Sequence, residues 1–233
     1  MTIFSAEAFL DGQILLFDKP LYWTSFDLVK KAKNIIRKRF GITKIKVGHT
    51  GTLDPLATGL MIICTGKSTK KINGLQGLAK EYVTTLILGK TTPSYDLETE
   101  FDKIYPANHI TIELVSRAIT EFTGEQLQVP PLYSAKNING KRAYEYARKG
   151  IKMELEPGLI TIHEIELLYF ELPVVRLRLV CSKGTYIRSF ARDFGKFLES
   201  GAHLSDLKRT KIGDYDLASA TTIENFQLML EQA

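Results

Sequence analysis

Hydrophobic periodicity changes irregularly between strand and helix along this chain, and the order of these patterns restricts its fold. Alternating or continuous apolar runs predict strands at 13–17, 60–64, 81–89, 158–169, 174–181 and 206–216. Apolar residues at helical spacing predict helices at 25–40, 111–122, 141–149 and 184–198, and at the C-terminus. Because strands and helices do not alternate regularly, we expect a mixed, largely antiparallel α+β fold. With no repeat or linker evident, residues 1–233 are expected to form one domain.

Positive charge is concentrated in residues 30–46. This segment contains no acid, and its basic residues are Lys30, Lys31, Lys33, Arg37, Lys38, Arg39, Lys44 and Lys46. Such a block suggests a polyanionic partner, whereas the alternative is a solvated helix face. Its position just before a glycine-containing loop favours the polyanion.

The two cysteines indicate a reducing compartment. Cys64 and Cys181 each lie in an apolar run, far apart in sequence, so we interpret them as buried thiols rather than a disulfide or metal pair. The N-terminus lacks the pattern of a signal peptide, and no apolar stretch approaches the roughly 20 residues needed to span a bilayer. We therefore expect a soluble, cytoplasmic protein with no membrane partner. Its four histidines lack metal-ligand spacing, so no metal site is expected.

Residues 48–59, Gly-His-Thr-Gly-Thr-Leu-Asp-Pro-Leu-Ala-Thr-Gly, hold one carboxylate among glycines and small hydroxyl residues. Gly48 and Gly51 should permit unusual backbone angles and close approach of a ligand. Pro55 disfavours the helical region for Asp54, which should place the carboxylate at a fixed, non-helical corner facing a cleft. The alternative is that Asp54 caps a helix beginning at Pro55. The surrounding residues favour Asp54 as a nucleophile that acts on RNA.

The same segment resembles the catalytic motif of the TruB family of tRNA pseudouridine synthases. Further blocks are similar to the family's pattern in the same order: Asp18-Lys-Pro20 with Thr24-Ser25, Lys80-Glu-Tyr82, Gln128 to Ala135 with Gly140 to Arg148, and Cys181 to Arg188. The match covers about residues 12–217. There are two departures, since Tyr22 stands where the family usually has glycine and Asn137 stands where a lysine is expected.

The resemblance implies a pseudouridine synthase fold, with a mixed, mostly antiparallel sheet flanked by helices and loops. It also implies isomerisation of uridine 55 in the T-arm of tRNA to pseudouridine, without metal or cofactor. Many relatives continue into a C-terminal PUA domain, and this chain is expected to be a short form without it. We expect it to act as a monomer on the T-arm stem-loop.

The resemblance assigns the chemistry to three residues. Asp54 is the expected nucleophile, attacking either the sugar or the base ring. Burial disfavours an ionised carboxylate, and a fixed cation offsets this effect. Arg188 is expected to bind the Asp54 carboxylate through two parallel hydrogen bonds, although a lone helical arginine is more often a surface residue. Tyr82 is expected to stack on the target base and is a candidate for removing the C5 proton, with core packing as the alternative.

The remaining assignments concern substrate binding. A base inside the folded T-loop is inaccessible, so the enzyme is expected to extrude it. His49 would fill the resulting gap in the stack with its flat ring. Tyr186 and Leu207 would surround the uracil, with core packing as the alternative for Leu207. Asp96 is expected to position the substrate, and Lys19 is expected to contact phosphate together with the basic block.

Two other functions fit part of the sequence. A non-catalytic RNA-binding or tRNA-folding module would explain the basic block, but not the combination of Asp54, Tyr82 and Arg188. A base-removing glycosidase would share the nucleophile and release free uracil.

Overall fold

The computed structural model describes residues 4–134, 136–138, 140–147, 149–151, 153 and 155–232. Its α-helices are α1 (Ala6–Asp11), α2 (Ser25–Phe40), α3 (Ile72–Gly77), α4 (Ile112–Phe122), α5 (Ala143–Ala147), α6 (Ile187–Phe197) and α7 (Ile223–Gln232). Short 3-10 helices occupy Gly66–Lys71 and Leu217–Ser219. Ala135 and Arg148, which end two of the blocks named above, lie outside the described residues, as does the side chain of Asn137.

The strands follow in chain order. They are β1 (Ile14–Lys19), β2 (Val47–His49), β3 (Ala57–Thr65), β4 (Lys80–Leu88), β5 (Lys90–Thr91), β6 (Lys103–Ile104), β7 (Gly124–Gln128), β8 (Asn137–Ile138), β9 (Lys141–Arg142), β10 (Gly158–Glu171), β11 (Val174–Cys181), β12 (Ala202–Ile212) and β13 (Tyr215–Asp216). The longer strands and helices confirm the predicted pattern. Sequence periodicity missed the helices α1 and α3 and the strands β2, β5, β6, β7, β8 and β9, which are short or lie at an edge, and β9 occupies the start of the helix predicted at 141–149.

The chain divides into two compact units, the first formed by 1–82 and 208–233 and the second by 83–207. The divisions fall inside β4 and β12, so each of these strands contributes residues to both units. The prediction of a single domain over 1–233 stays a prediction.

In the first unit, β1 and β2 both pair antiparallel with β3, and β3 lies next to β12. The β1–β3 register places Lys19 opposite Gly59, the last residue of the segment 48–59. Aromatic rings fill the core behind β1, where the ring centroids of Phe17 and Phe226 are 5.1 Å apart in an edge-to-face arrangement. This core supports β1, and β1 pairs with β3, the strand that follows the candidate loop.

Helix α2 begins where the sequence predicted. The Thr24 hydroxyl accepts a hydrogen bond from Asp27 N–H, and the Asp27 carboxylate accepts one from Thr24 N–H, which forms a capping box. Gly41 ends the helix in the left-handed conformation, with φ of 64°. The helix is therefore fixed at both ends by its own sequence.

In the second unit the strand order is β12–β4–β11–β10–β7, with β10 antiparallel to both β11 and β7. Helices α4 and α6 pack together through aromatic side chains, and the ring centroids of Phe122 and Phe190 are 5.7 Å apart. The observed strands and helices confirm the expected mixed, mostly antiparallel α+β fold. Neither Cys64 nor Cys181 forms a disulfide and both are buried, as predicted, and burial raises the pKa of the Cys64 thiol.

Within the described ranges, no helix is both long enough and apolar enough to cross a membrane.

Candidate active site

Asp54 lies on an irregular loop of the first unit between β2 and β3. Residues 55–56 form a turn, Ala57 begins a strand, and Ala57 N–H donates to the Asp54 carbonyl at 3.1 Å. The alternative in which Asp54 caps a helix beginning at Pro55 is therefore wrong. As Pro55 predicted, Asp54 occupies a non-helical corner, and its side chain is partly exposed.

Ser25 holds this loop next to Asp54. Its hydroxyl donates to the Leu53 carbonyl at 3.0 Å and accepts from Leu53 N–H at 2.8 Å. The adjacent hydroxyls of Thr24 and Ser25 thus have separate tasks, since Thr24 caps α2 and Ser25 ties the start of α2 to the loop. The backbone that carries Asp54 is consequently fixed by a buried side chain.

The loop glycines act differently from the prediction. Neither Gly48 nor Gly51 adopts a left-handed φ, whereas Gly59 does, with φ of 104°. A Cβ atom on Gly59 would lie 2.2 Å from the Arg209 carbonyl oxygen, a distance that backbone atoms cannot accommodate. Gly59 is therefore required for tight packing of β3 against β12. The left-handed angle is therefore found at Gly59 rather than at Gly48 or Gly51, and the close approach of a ligand expected at these two glycines stays a prediction.

Two buried cations border the loop. The Lys19 ammonium donates to the carbonyls of Pro20 at 2.9 Å, Trp23 at 2.6 Å and Pro55 at 3.5 Å. The Arg209 guanidinium donates to the carbonyls of Leu60 at 2.8 Å and Gly51 at 3.2 Å. Both side chains are almost entirely buried, and they bind the main chain on either side of Asp54.

Burial lowers the pKa of Lys19 to about 8, although attraction to the Asp54 carboxylate opposes this shift. The positive charge of Arg209 lowers it further. Full burial against main-chain carbonyls argues against the phosphate contact that the sequence suggested for Lys19. The observed position instead places the positive charge of Lys19 near enough to Asp54 for the two charges to attract each other.

His49 is the last residue of β2, immediately before the loop that carries Asp54. Burial lowers the pKa of His49, a hydrogen bond with the Gly51 backbone partly opposes this shift, and the nearby charge of Arg209 adds to it. The Gly51 N–H donates to Nδ1 at 3.3 Å, an arrangement that requires Nδ1 without a proton. His49 is thus a neutral, half-buried ring, which suits stacking better than contact with phosphate.

Tyr82 lies on the buried face of β4 in the first unit. Such burial is compatible with core packing and with a site lined by aromatic groups, so its catalytic role stays a prediction. Leu207, in the second unit, is also buried.

The second unit brings Arg188 and Asp96 together. Arg188 Nε lies 3.6 Å from Asp96 Oδ2, and both side chains are buried. The second carboxylate oxygen of Asp96 accepts a hydrogen bond from Glu98 N–H at 3.0 Å. The surface position considered for Arg188 is therefore wrong, and its expected bond to Asp54 stays a prediction. Burial and pairing favour a role for Asp96 in positioning Arg188 over direct contact with substrate.

Gln128 orients the backbone at Tyr186, immediately before α6. Its side-chain amide accepts from Tyr186 N–H at 2.8 Å and donates to the Tyr186 carbonyl at 3.1 Å. The sequence placed Gln128 at the head of a family block but did not indicate this contact. Arg209 was missed in the same way, because only the fold reveals that this arginine is buried.

The basic block lies on α2 and on the segment that follows it. Most of its side chains are exposed. A groove of about 630 Å³ in the first unit is lined by cations from this block and from the 3-10 helix at 66–71, namely Lys33, Arg37, Lys44, Lys46, Lys67 and Lys70. Among the residues described, no group of three or more His, Cys, Asp or Glu side chains could hold a metal ion.

Comparisons with known proteins agree across most of the chain. Residues 37–187 match the TruB family pseudouridylate synthase N-terminal domain, and residues 188–233 match the tRNA pseudouridylate synthase B C-terminal domain. The tRNA pseudouridine synthase B of Phocaeicola vulgatus is 55% identical over 96% of this chain and 95% of its own length. That of Flavobacterium johnsoniae is 54% identical over 97% of this chain and 99% of its own length.

Solved structures show the same fold. A Cbf5–Nop10–Gar1 complex contains a chain with 25% identity and a TM-score of 0.68, and the match covers 96% of this chain and 57% of that one. An archaeal box H/ACA Nop10–Cbf5 complex gives 22% identity and a TM-score of 0.67 over 96% of this chain and 55% of that one. This chain therefore spans a little over half the length of those structural relatives. From the family matches and the close relatives together, this chain belongs to the TruB family of pseudouridylate synthases and is an isomerase that acts on RNA.

Proposed function

We propose that this enzyme converts uridine 55 in the T-arm of tRNA to pseudouridine, with Asp54 as the nucleophile. The observation that supports this proposal most directly is the setting of Asp54. Its carboxylate is partly exposed on a loop that Ser25 holds in place, beside the buried cations Lys19 and Arg209. The relatives named tRNA pseudouridine synthase B favour tRNA as the substrate.

The reaction needs no external reactant. The bond between uracil N1 and the ribose C1′ breaks, the base rotates, and C5 forms the new bond to C1′. C5 then loses its proton, while N1 ends the reaction carrying one. An ionised Asp54 starts this sequence by donating an electron pair to the sugar or the base ring, and the bond that it forms breaks before the product leaves, which regenerates the carboxylate.

Access to the base requires that the uridine leave the T-loop stack, at a cost of a few kcal/mol. The neutral ring of His49 supports the proposal that this residue replaces the extruded base in the stack. Tyr82, Arg188, Tyr186 and Leu207 keep the roles that the family resemblance assigns to them. Action as a monomer in the cytoplasm is part of the same proposal.

The decisive variant is Asp54→Asn, which keeps the shape of the side chain but removes its charge. We expect the variant to fold, to retain most of its affinity for T-arm RNA, and to form no pseudouridine. Chemical labelling followed by reverse transcription locates pseudouridine at single-nucleotide resolution. Full conversion by the variant would show that Asp54 is not the nucleophile.

The same assay separates the alternative functions. An RNA-binding module would leave uridine 55 unchanged even with the wild-type chain, and a glycosidase would release free uracil, which chromatography detects. Binding should also weaken steeply between about 50 and 200 mM salt, because lysine and arginine contacts displace counterions from the phosphates. A flat salt response would contradict the basic block as the RNA-binding surface.

A further inference from the structure

The turn before α2 places Tyr22 in an unfavourable conformation that packing does not explain. Its φ is 66°, in the left-handed region that bulky side chains rarely occupy. The side chain is nonetheless 75% exposed, so burial of its ring contributes little to offset the strain. Backbone strain that folding does not need is a reason to look for a function.

The position of Tyr22 connects it to the reacting loop. Its N–H donates to the Pro55 carbonyl at 2.8 Å, and Pro55 directly follows Asp54. The Lys19 ammonium donates to the same Pro55 carbonyl at 3.5 Å. The strained turn is thus attached to the backbone that carries the proposed nucleophile, and its ring faces solvent there.

A second exposed aromatic residue follows in the first turn of α2. Phe26 is 69% exposed. At 100° per residue, Phe26, Lys30, Lys33 and Arg37 lie within a stripe about 60° wide on one face of the helix. The three cations follow Phe26 at roughly 6, 10 and 16 Å along the helix axis.

We propose that Tyr22 and Phe26 form an aromatic platform that stacks on an unpaired base beside the target uridine. RNA is the occupant that matches both parts of the surface, because its bases stack on exposed rings and its phosphates bind a row of cations. A protein partner with an apolar surface would not require the cation stripe. The inference rests on the proposed function, since it concerns the RNA whose uridine Asp54 attacks.

Tyr22→Gly tests this platform, because the platform and a purely structural role predict different changes in Tm and KM. Glycine accepts the left-handed backbone without strain, so Tm should stay the same or rise by as much as roughly 4 °C. Loss of stacking should raise KM for the T-arm stem-loop about tenfold. A purely structural Tyr22 would instead lower Tm when removed, with no selective effect on KM.

Two further substitutions at the same position separate ring stacking from apolar contact. Tyr22→Leu keeps the strain and an apolar surface but should raise KM nearly as much as Tyr22→Gly. Tyr22→Phe keeps the ring, and its KM should stay within about threefold of the wild-type value. Phe26→Ala should also raise KM, and a wild-type KM for both Tyr22→Leu and Phe26→Ala would overturn the proposal.

Glu199 provides a matched control for the release of strain. It is an exposed residue of the second unit with φ of 55°, and it belongs to no site described above. Glu199→Gly should affect Tm as Tyr22→Gly does while leaving KM unchanged. A similar rise in KM for Glu199→Gly would show that loss of strain, rather than loss of the ring, weakens binding.

Failure of the inference is distinguishable from failure of the proposed function. If the wild-type chain leaves uridine 55 unmodified, the proposed function is wrong. If the wild type forms pseudouridine and the Tyr22 and Phe26 variants bind T-arm RNA with wild-type affinity, only the platform is wrong. Affinity is best compared in the Asp54→Asn background, where turnover does not change the RNA during the measurement.

Discussion

The loops around Asp54 and Asp96 hold their carboxylates in different surroundings. Asp54 is partly exposed, and the cations near it are bound to main-chain carbonyls. Asp96 is buried, and its carboxylate contacts both Arg188 and a backbone N–H. A carboxylate that reacts must be reachable while remaining charged, whereas one that orients another side chain gains from burial and pairing. The comparison indicates that exposure distinguishes the proposed nucleophile from the positioning acid.

The two loops should differ most in how replacing their aspartate changes turnover and the free energy of unfolding. Asp54→Asn should abolish turnover with less loss of stability than Asp96→Asn, because Asp54 is partly exposed whereas Asp96 is buried. Asp96→Asn should reduce the free energy of unfolding by about 3 kcal/mol, since it disrupts a buried ion pair. Urea denaturation measured beside the pseudouridine assay makes this comparison. A strongly destabilised Asp54→Asn variant with a stable Asp96→Asn variant would reverse the assignment.

Lys19 tests the role of charge beside Asp54. Its pKa of about 8 in the folded protein lies below the ordinary value of 10.5, so the unfolded chain binds more protons between these values. Stability should therefore rise with pH from about 8 to 10.5, by roughly 3 kcal/mol relative to Lys19→Met. Below pH 8 the difference between wild type and variant should be constant.

The same ammonium should affect the pH profile of activity. As pH rises through about 8, Lys19 becomes a neutral amine that holds the Pro20, Trp23 and Pro55 carbonyls less strongly, so the backbone around Asp54 should lose order and kcat/KM should decline. Lys19→Met should have lower activity throughout and lack this alkaline decline. An unchanged midpoint near pH 8 in the variant would assign the decline to another group.

The smallest predicted effects concern the two hydroxyls at the start of α2. Ser25→Ala should cost about 1–3 kcal/mol, because Leu53 loses partners for both its N–H and its carbonyl. It should also lower kcat, since the Asp54 loop loses its attachment. Thr24→Ala removes only the helix cap and should cost about 1 kcal/mol, with kcat unchanged. Equal loss of kcat in both variants would show that the helix, and not the hydrogen bonds to Leu53, determines the loop's activity.

Local features of the site were predictable from the sequence. Thr24 and Asp27 have the spacing of a capping box, and α2 begins there. Pro55 excluded the helical conformation from Asp54, and the loop follows that restriction. In each case the determining residues are close together in the chain, so their effects can be read without knowledge of the fold.

Contacts between distant segments were not predictable in this way. Lysine is usually a surface residue, and only the register of β1 against β3 shows that the ammonium of Lys19 is buried. Asp96 and Arg188 are separated by most of the second unit, and no periodic pattern indicates that they meet. The same applies to Gly59, whose requirement for glycine comes from the backbone of Arg209.

Helix α2 also fixes a distance between two parts of the first unit. Its first residue holds the backbone next to Asp54, and near its other end the Arg39 guanidinium donates to the Leu230 carbonyl at 2.7 Å. The distance from the Asp54 carboxylate to the cations on α2 is therefore set by a rigid helix of 16 residues, about 24 Å long, rather than by a flexible loop. Inserting one residue in the middle of α2 would turn the cations beyond it by about 100° while leaving their number and the net charge unchanged.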